Sequence, residues 1–136
     1  ALFLVALLYY GGMGKNVEMG VLKTVAVKTD ASFVALILRG ILCNIIVSMA
    51  VYLSYAAKNI PGRILAAMLP VILFVVSAFE HSVANMFVLF FGKMIGANIT
   101  ILDILIGNLL PVTIGNIIGG GILIPGAYYK LFLKDA

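Results

Sequence analysis

Glu80 and His81 stand side by side within the nine residues Phe79 to Phe87, FEHSVANMF, in the middle of an apolar run far too long for a soluble helix. His81 is the chain's one histidine. Ionisable groups at that depth are costly to desolvate, so they face a cavity or a partner and mark where chemistry is to be sought. Ser77, Ser82 and Asn85 lie close by, a density of polar groups that lipid does not tolerate on an exposed helix face; the helix is therefore expected to break near residues 80–84 around a cavity. A broken membrane helix aims the N–H groups of its second half, with their positive dipole end, at whatever fills the gap, and Ser82 is placed to cap that end. An anion is the natural occupant. Histidine titrates near neutral pH, so it could both hold an anion and hand it a proton. The blander alternative is that Glu80 and His81 only cross-link helices, which requires two expensive residues adjacent on the chain.

The elements that position these residues are set by composition. Hydrophobic residues make up 64% of the chain, charged residues only 10%, and the mean hydropathy is +1.22, the profile of an integral membrane protein. A spanning helix needs about 20 apolar residues. Ser32 to Ala57 and Ile64 to Phe91 meet that length, as does Thr113 to Leu133 with glycine interruptions. Residues 1–12 are apolar but too short to span and read as the C-terminal part of a helix; neither the charged start nor the cleavage site of a signal peptide is present. Residues 13–31 carry Lys15, Glu18, Lys23, Lys28 and Asp30 and read as a polar connection, re-entrant or interfacial. Residues 32–136 then hold three spans. Lys58, Pro61, Gly62 and Arg63 make a short turn between antiparallel neighbours. NITILDILIGNLL, from Asn98, is expected to form a short embedded helix stopped by Pro111, with the last span beginning near Thr113. In that span Gly115 and Gly119 let another helix approach closely. Gly40, Asn44 and Ser48 recur every fourth residue on one face of the preceding span, which suits either interhelical hydrogen bonding or a pore lining. Arg39 reads as an anchor that snorkels to the interface. Lys58, Arg63, Lys130 and Lys134 are assigned to the cytoplasmic side, against Lys15, Lys23, Lys28 and Lys93 on the other.

Other chemistries find little support. The single Cys43 excludes an internal disulfide, and no cluster of His, Cys and carboxylates suggests a metal; no cofactor is implied. The net charge of +4 is spread along loops, which fits retention at a bilayer surface and not nucleic acid. A membrane enzyme built on His81, Ser82 and Glu80 is disfavoured, since adjacent residues rarely converge into a triad and no HExxH or GxSxG element is present. A structural membrane subunit and an aquaporin-like channel for neutral solutes are the remaining alternatives.

FEHSVANMF, LRGILCN ending at Asn44, and NLLPVTIGNIIGGG from Asn108 to Gly121 occur in an order and spacing that resemble the formate/nitrite transporter family, from the end of its third transmembrane helix onward. The resemblance implies an all-α, polytopic, aquaporin-like inverted-repeat bundle, of which this chain supplies the second three-helix repeat. It also implies a homopentamer in the cell membrane, inner or plasma membrane of a prokaryote, that passes small monovalent anions and protons through each protomer together with an N-terminal half. By residue, His81 matches the family's central pore histidine, Phe74 the hydrophobic constriction, Asn44 the polar pore residue and Lys28 the vestibular lysine. Glu80, Ser82 and Asn85 then support the helix break. One departure is that the glycine usual before Phe-Glu-His-Ser is Ala78 here.

Overall fold

The computed structural model describes residues 2–12 and 17–132, leaving Lys15 and Lys134 outside the described residues. It is all-helical. After α1 (Leu2–Tyr10), the polar connection contains a helix of its own, α2 (Glu18–Thr29). The long span α3 (Phe33–Ala56) is started by Ser32, whose side chain accepts the Ala35 N–H, and α4 (Ile60–Val76) by Asn59, whose side chain accepts the Gly62 N–H with Pro61 in the first turn. The chain is then non-helical to His81, resumes as α5 (Ser82–Met94), and ends in α6 (Asp103–Phe132). α3 and α6 are each long and apolar enough to cross a bilayer.

The break opens with a Schellman cap. The Phe79 N–H returns to the Phe74 carbonyl and the Ala78 N–H to the Val75 carbonyl, which requires a left-handed residue between them. That residue is Ala78, at φ +52°, the one non-glycine residue with positive φ among the described residues. α5 closes with the same pair of bonds, Ala97 to Gly92 and Gly96 to Lys93, but there the left-handed position is glycine, Gly96 at φ +103°.

α6 corrects the expectation of a short helix followed by a separate span. Helical structure runs unbroken through Pro111, because Asp103–Leu109 is wound as π-helix before the α-helical Leu110–Asn116. Proline has no N–H to give the preceding turn, and the wider winding ahead of it accommodates that loss. A second π-helical stretch, Ile117–Leu123, contains Gly119, Gly120 and Gly121, and α-helix resumes over Ile124–Phe132.

α6 packs along α3. A Cβ on Gly115 would strike the Ile37 carbonyl and one on Gly119 the Ile41 carbonyl, so backbone lies directly on backbone; farther along, the Tyr52 and Tyr128 rings meet edge to face at 5.9 Å. The contacts advance together along both helices, which are therefore parallel. α4 returns antiparallel beside α3, as Ile46, Met49 and Leu53 share a crevice with Leu69, Pro70 and Leu73. On the other side α2, α5 and the start of α6 enclose a small core of Val25, Leu89, Ile104 and Leu109. The broken segment passes between these two groups.

Candidate functional site

Four buried polar side chains meet at the break: Glu80, Asn85, Asn108 and Asn116. Glu80 is only 2% exposed, and its Oε2 accepts from Lys28 Nζ at 2.7 Å and from Asn85 Nδ2. Asn85 donates also to Asn108 Oδ1 at 2.8 Å, and Asn108 Nδ2 donates to the Lys28 carbonyl at 3.1 Å, which closes a ring through α2, α5 and α6. Asn116 makes the second set of ties. Its Oδ1 accepts the Ser82 N–H at 2.9 Å, and its Nδ2 donates to the carbonyls of Gly40 at 2.9 Å and Glu80 at 3.0 Å. Its own carbonyl accepts from Asn44 Nδ2 at 2.9 Å. A break in a membrane helix frees main-chain groups that lipid cannot satisfy, and Asn116 satisfies two of them, the Ser82 N–H and the Glu80 carbonyl.

Local backbone chemistry also orients His81. It is the N-cap of α5, with Nδ1 accepting the Val83 N–H at 3.3 Å; Ser82, expected to be the cap, is the first helical residue and contributes its N–H to Asn116 instead. The first two N–H groups of α5 are thus already taken by side chains. The expected cradle of open N–H groups is narrower than the break alone implied. An Nδ1 that accepts a hydrogen bond leaves the ring proton on Nε2. Phe74, in the last turn of α4, holds its ring 6.0 Å from the His81 ring, centroid to centroid, at a 35° tilt.

Phe74, His81 and Glu80 open onto a cavity of about 460 Å³ together with Lys23 and Lys28 of α2 and Arg39 of α3. Of the expected pore residues, the structure brings His81, Phe74 and Lys28 to one cavity and sets Asn44 apart from it. Asn44 lies in the α3–α6 seam, where Gly40 abuts Asn116 and Val112, and Ser48 and Asn44 face Gly120; its Oδ1 is buried without a partner. Arg39, read as an interfacial anchor, is a lining residue. Lys28 is not a free vestibular cation, because Glu80 holds its ammonium. Sequence reasoning missed Asn108 and Asn116 as site residues, although both fall inside the quoted NLLPVTIGNIIGGG; an isolated Asn in an apolar helix was the available signal.

Residues 1–130 match the profile of the family described as formate/nitrite transporter. Formate channel FocA of Escherichia coli is 35% identical over an alignment covering 99% of this chain and 55% of that protein. A probable formate transporter of Methanothermobacter thermautotrophicus is 42% identical over 71% of this chain and 35% of its own length. Among solved structures, a pentameric formate channel with formate bound superposes with a TM-score of 0.83 at 28% identity, covering 98% of this chain and 61% of that one. A second, an ion channel of the same family, gives 0.78 at 31% identity over 94% and 52%. The chain thus spans about half the length of the curated FocA it matches. Because the profile runs through every helix that builds the break and its polar ring, the chain belongs to the formate/nitrite transporter family.

Proposed function

We propose that this chain supplies the second half of a pore through which small monovalent anions of the formate, nitrite and hydrosulfide class cross a membrane, with His81 handling the proton. The observation that carries this is the pairing of the Phe74 and His81 rings at the broken helix, on a cavity whose charges are mainly positive. A bare anion in an apolar constriction loses many kcal/mol of solvation, whereas its conjugate acid is neutral and crosses far more cheaply. Protonation at the constriction is therefore the economical route. Phe74 excludes water, and His81 Nε2–H faces an incoming oxygen or sulfur as a donor.

The cap bond adds a condition. An imidazolium has no lone pair, so His81 cannot be doubly protonated and still accept the Val83 N–H. Proton delivery from the ring and capping of α5 alternate, and at 3.3 Å the cap is long enough to yield. Glu80, neutralised by Lys28 and bonded by Asn85, holds the break and does not relay protons. Asn44 contributes through its bond to the Asn116 carbonyl, which ties α3 to the residue that holds the break.

By the same analogy the assembled protein is a multi-pass pentamer in a cell membrane, each pore completed by a preceding three-helix half. The test is uptake of formate, nitrite and hydrosulfide into liposomes carrying the full-length protein, at pH values on either side of the ordinary histidine range. Unaltered anions should accumulate inside, faster at the lower pH. Replacing His81 with Asn or Phe should abolish most of that pH dependence, and pH dependence that survives would remove His81 from the proton path. A neutral-solute channel would instead pass glycerol or water with no anion flux.

A further inference from the structure

The cations that gather the anion are Arg39 and Lys23, and Lys28 is not among them: this is where the geometry points. It rests on the anion passage proposed for the same cavity. Three cationic side chains line that cavity, Lys23, Lys28 and Arg39, against one carboxylate, Glu80. Lys28 and Glu80 form an ion pair at 2.7 Å, with side chains 14% and 2% exposed, so the pair presents almost no net charge to an approaching ion. It is the one ion pair among the described residues, which leaves Arg39 and Lys23 without a carboxylate partner there.

Their placement suits recruitment. Lys23 is exposed on the face of α2 that carries Thr24, Val27 and Lys28 to the cavity. Arg39 is half-buried nearly two turns into α3, by about 1.5 Å of rise per residue roughly 9 Å from its first residue, on a wall shared with Phe74 and His81. An arginine that deep in an apolar helix is costly unless it faces water or an anion. Its guanidinium offers a planar fork of donors that matches a carboxylate or nitrite through two parallel hydrogen bonds. Lys23 then raises the local anion concentration at the mouth, and Arg39 takes the anion from it and presents it to the Phe74–His81 constriction. A planar, two-oxygen anion gains more from Arg39 than a single-atom acceptor such as hydrosulfide does. The ranking among substrates is thereby set before the histidine is reached.

The experiment compares initial uptake of formate and of hydrosulfide by the full-length protein in liposomes, at low and high ionic strength, for wild type, Lys23→Gln, Arg39→Gln and Arg39→Lys. At about 10 mM salt the screening length is about 30 Å, so either neutral variant should lose uptake at subsaturating anion by several-fold to about tenfold. Maximal rate at saturating anion should be retained, and the deficit should shrink at about 1 M salt. Arg39→Lys should restore the low-salt rate for hydrosulfide but only part of that for formate, because charge is restored and the fork is not. Wild-type uptake at low salt in both neutral variants overturns the assignment. So does loss of pentameric assembly in both Arg39 variants, which would make Arg39 a structural contact with the other half of the pore. Absence of anion flux in the wild type is a different result: it removes the parent function and this recruitment with it.

Discussion

Lys28 and Glu80 act as one group, and the outcome of mutating either follows from that. A lysine in a polar connection is expected to be dispensable for folding, but this one neutralises a carboxylate that is 2% exposed. Lys28→Ala should therefore destabilise the protein by about 3 kcal/mol, the usual consequence of leaving one charge of a buried pair alone. Thermal unfolding in detergent measures it. The double variant Lys28→Met with Glu80→Gln should recover much of the loss, since no charge is then buried; a double mutant as unstable as the sum of the singles would show the two residues to be uncoupled. Ala78 carries strain of another kind. At φ +52° it occupies a position where glycine has no penalty, and a left-handed alanine costs about 1 kcal/mol. Ala78→Gly should raise stability by about that amount, readable as an upward shift in Tm, and a lower Tm would mean that the Ala78 methyl makes contacts worth more than the strain.

At the scale of elements, the seam between α3 and α6 is set by glycines whose absent side chains let one backbone rest on the other. Gly119→Ala should cost about 1–3 kcal/mol by forcing the helices apart, whereas Gly126→Ala, where a Cβ meets nothing within 4 Å, should be neutral or slightly stabilising. Equal effects at the two positions in a thermal-shift comparison would deny the close approach. These helices also show where sequence was informative. The glycine pair announced close packing and the Ser77–Asn85 cluster surrounds the break, but the non-helical residues are 77–81, and residues 82–84, expected to lie in it, form the first turn of α5. Pro111 announced a stop that did not occur, since the chain ahead of it is wound as π-helix and runs on through the proline. Asn44 joined Gly40 and Ser48 on one face as expected, but which neighbour that face meets is a tertiary fact, and it meets α6. The pairing of Lys28 with Glu80 spans 52 residues and has no local signature.

Across the whole molecule, the exposed large apolar residues of α3, α4 and α6 need lipid or neighbouring helices to cover them. In the pore proposed above the facing broken helix comes from a further half, so the 136-residue chain by itself is expected to conduct no anion. Flux from the purified chain alone, dependent on His81, would contradict this and imply that two copies pair as an inverted dimer. The parallel seam of α3 and α6 also has a consequence for biogenesis. Gly40 and Asn44 find their partner at Asn116, which follows Gly40 by 76 residues, a stretch that takes roughly 4–15 s to synthesise at about 5–20 residues per second. For that interval α3 must persist with the Asn44 carboxamide unanswered, held in the insertion machinery or exposed to lipid. Its sequence fits such a wait, since Arg39 is the one charged residue in its 24, so the helix can enter the bilayer on its own hydrophobicity before its companion exists.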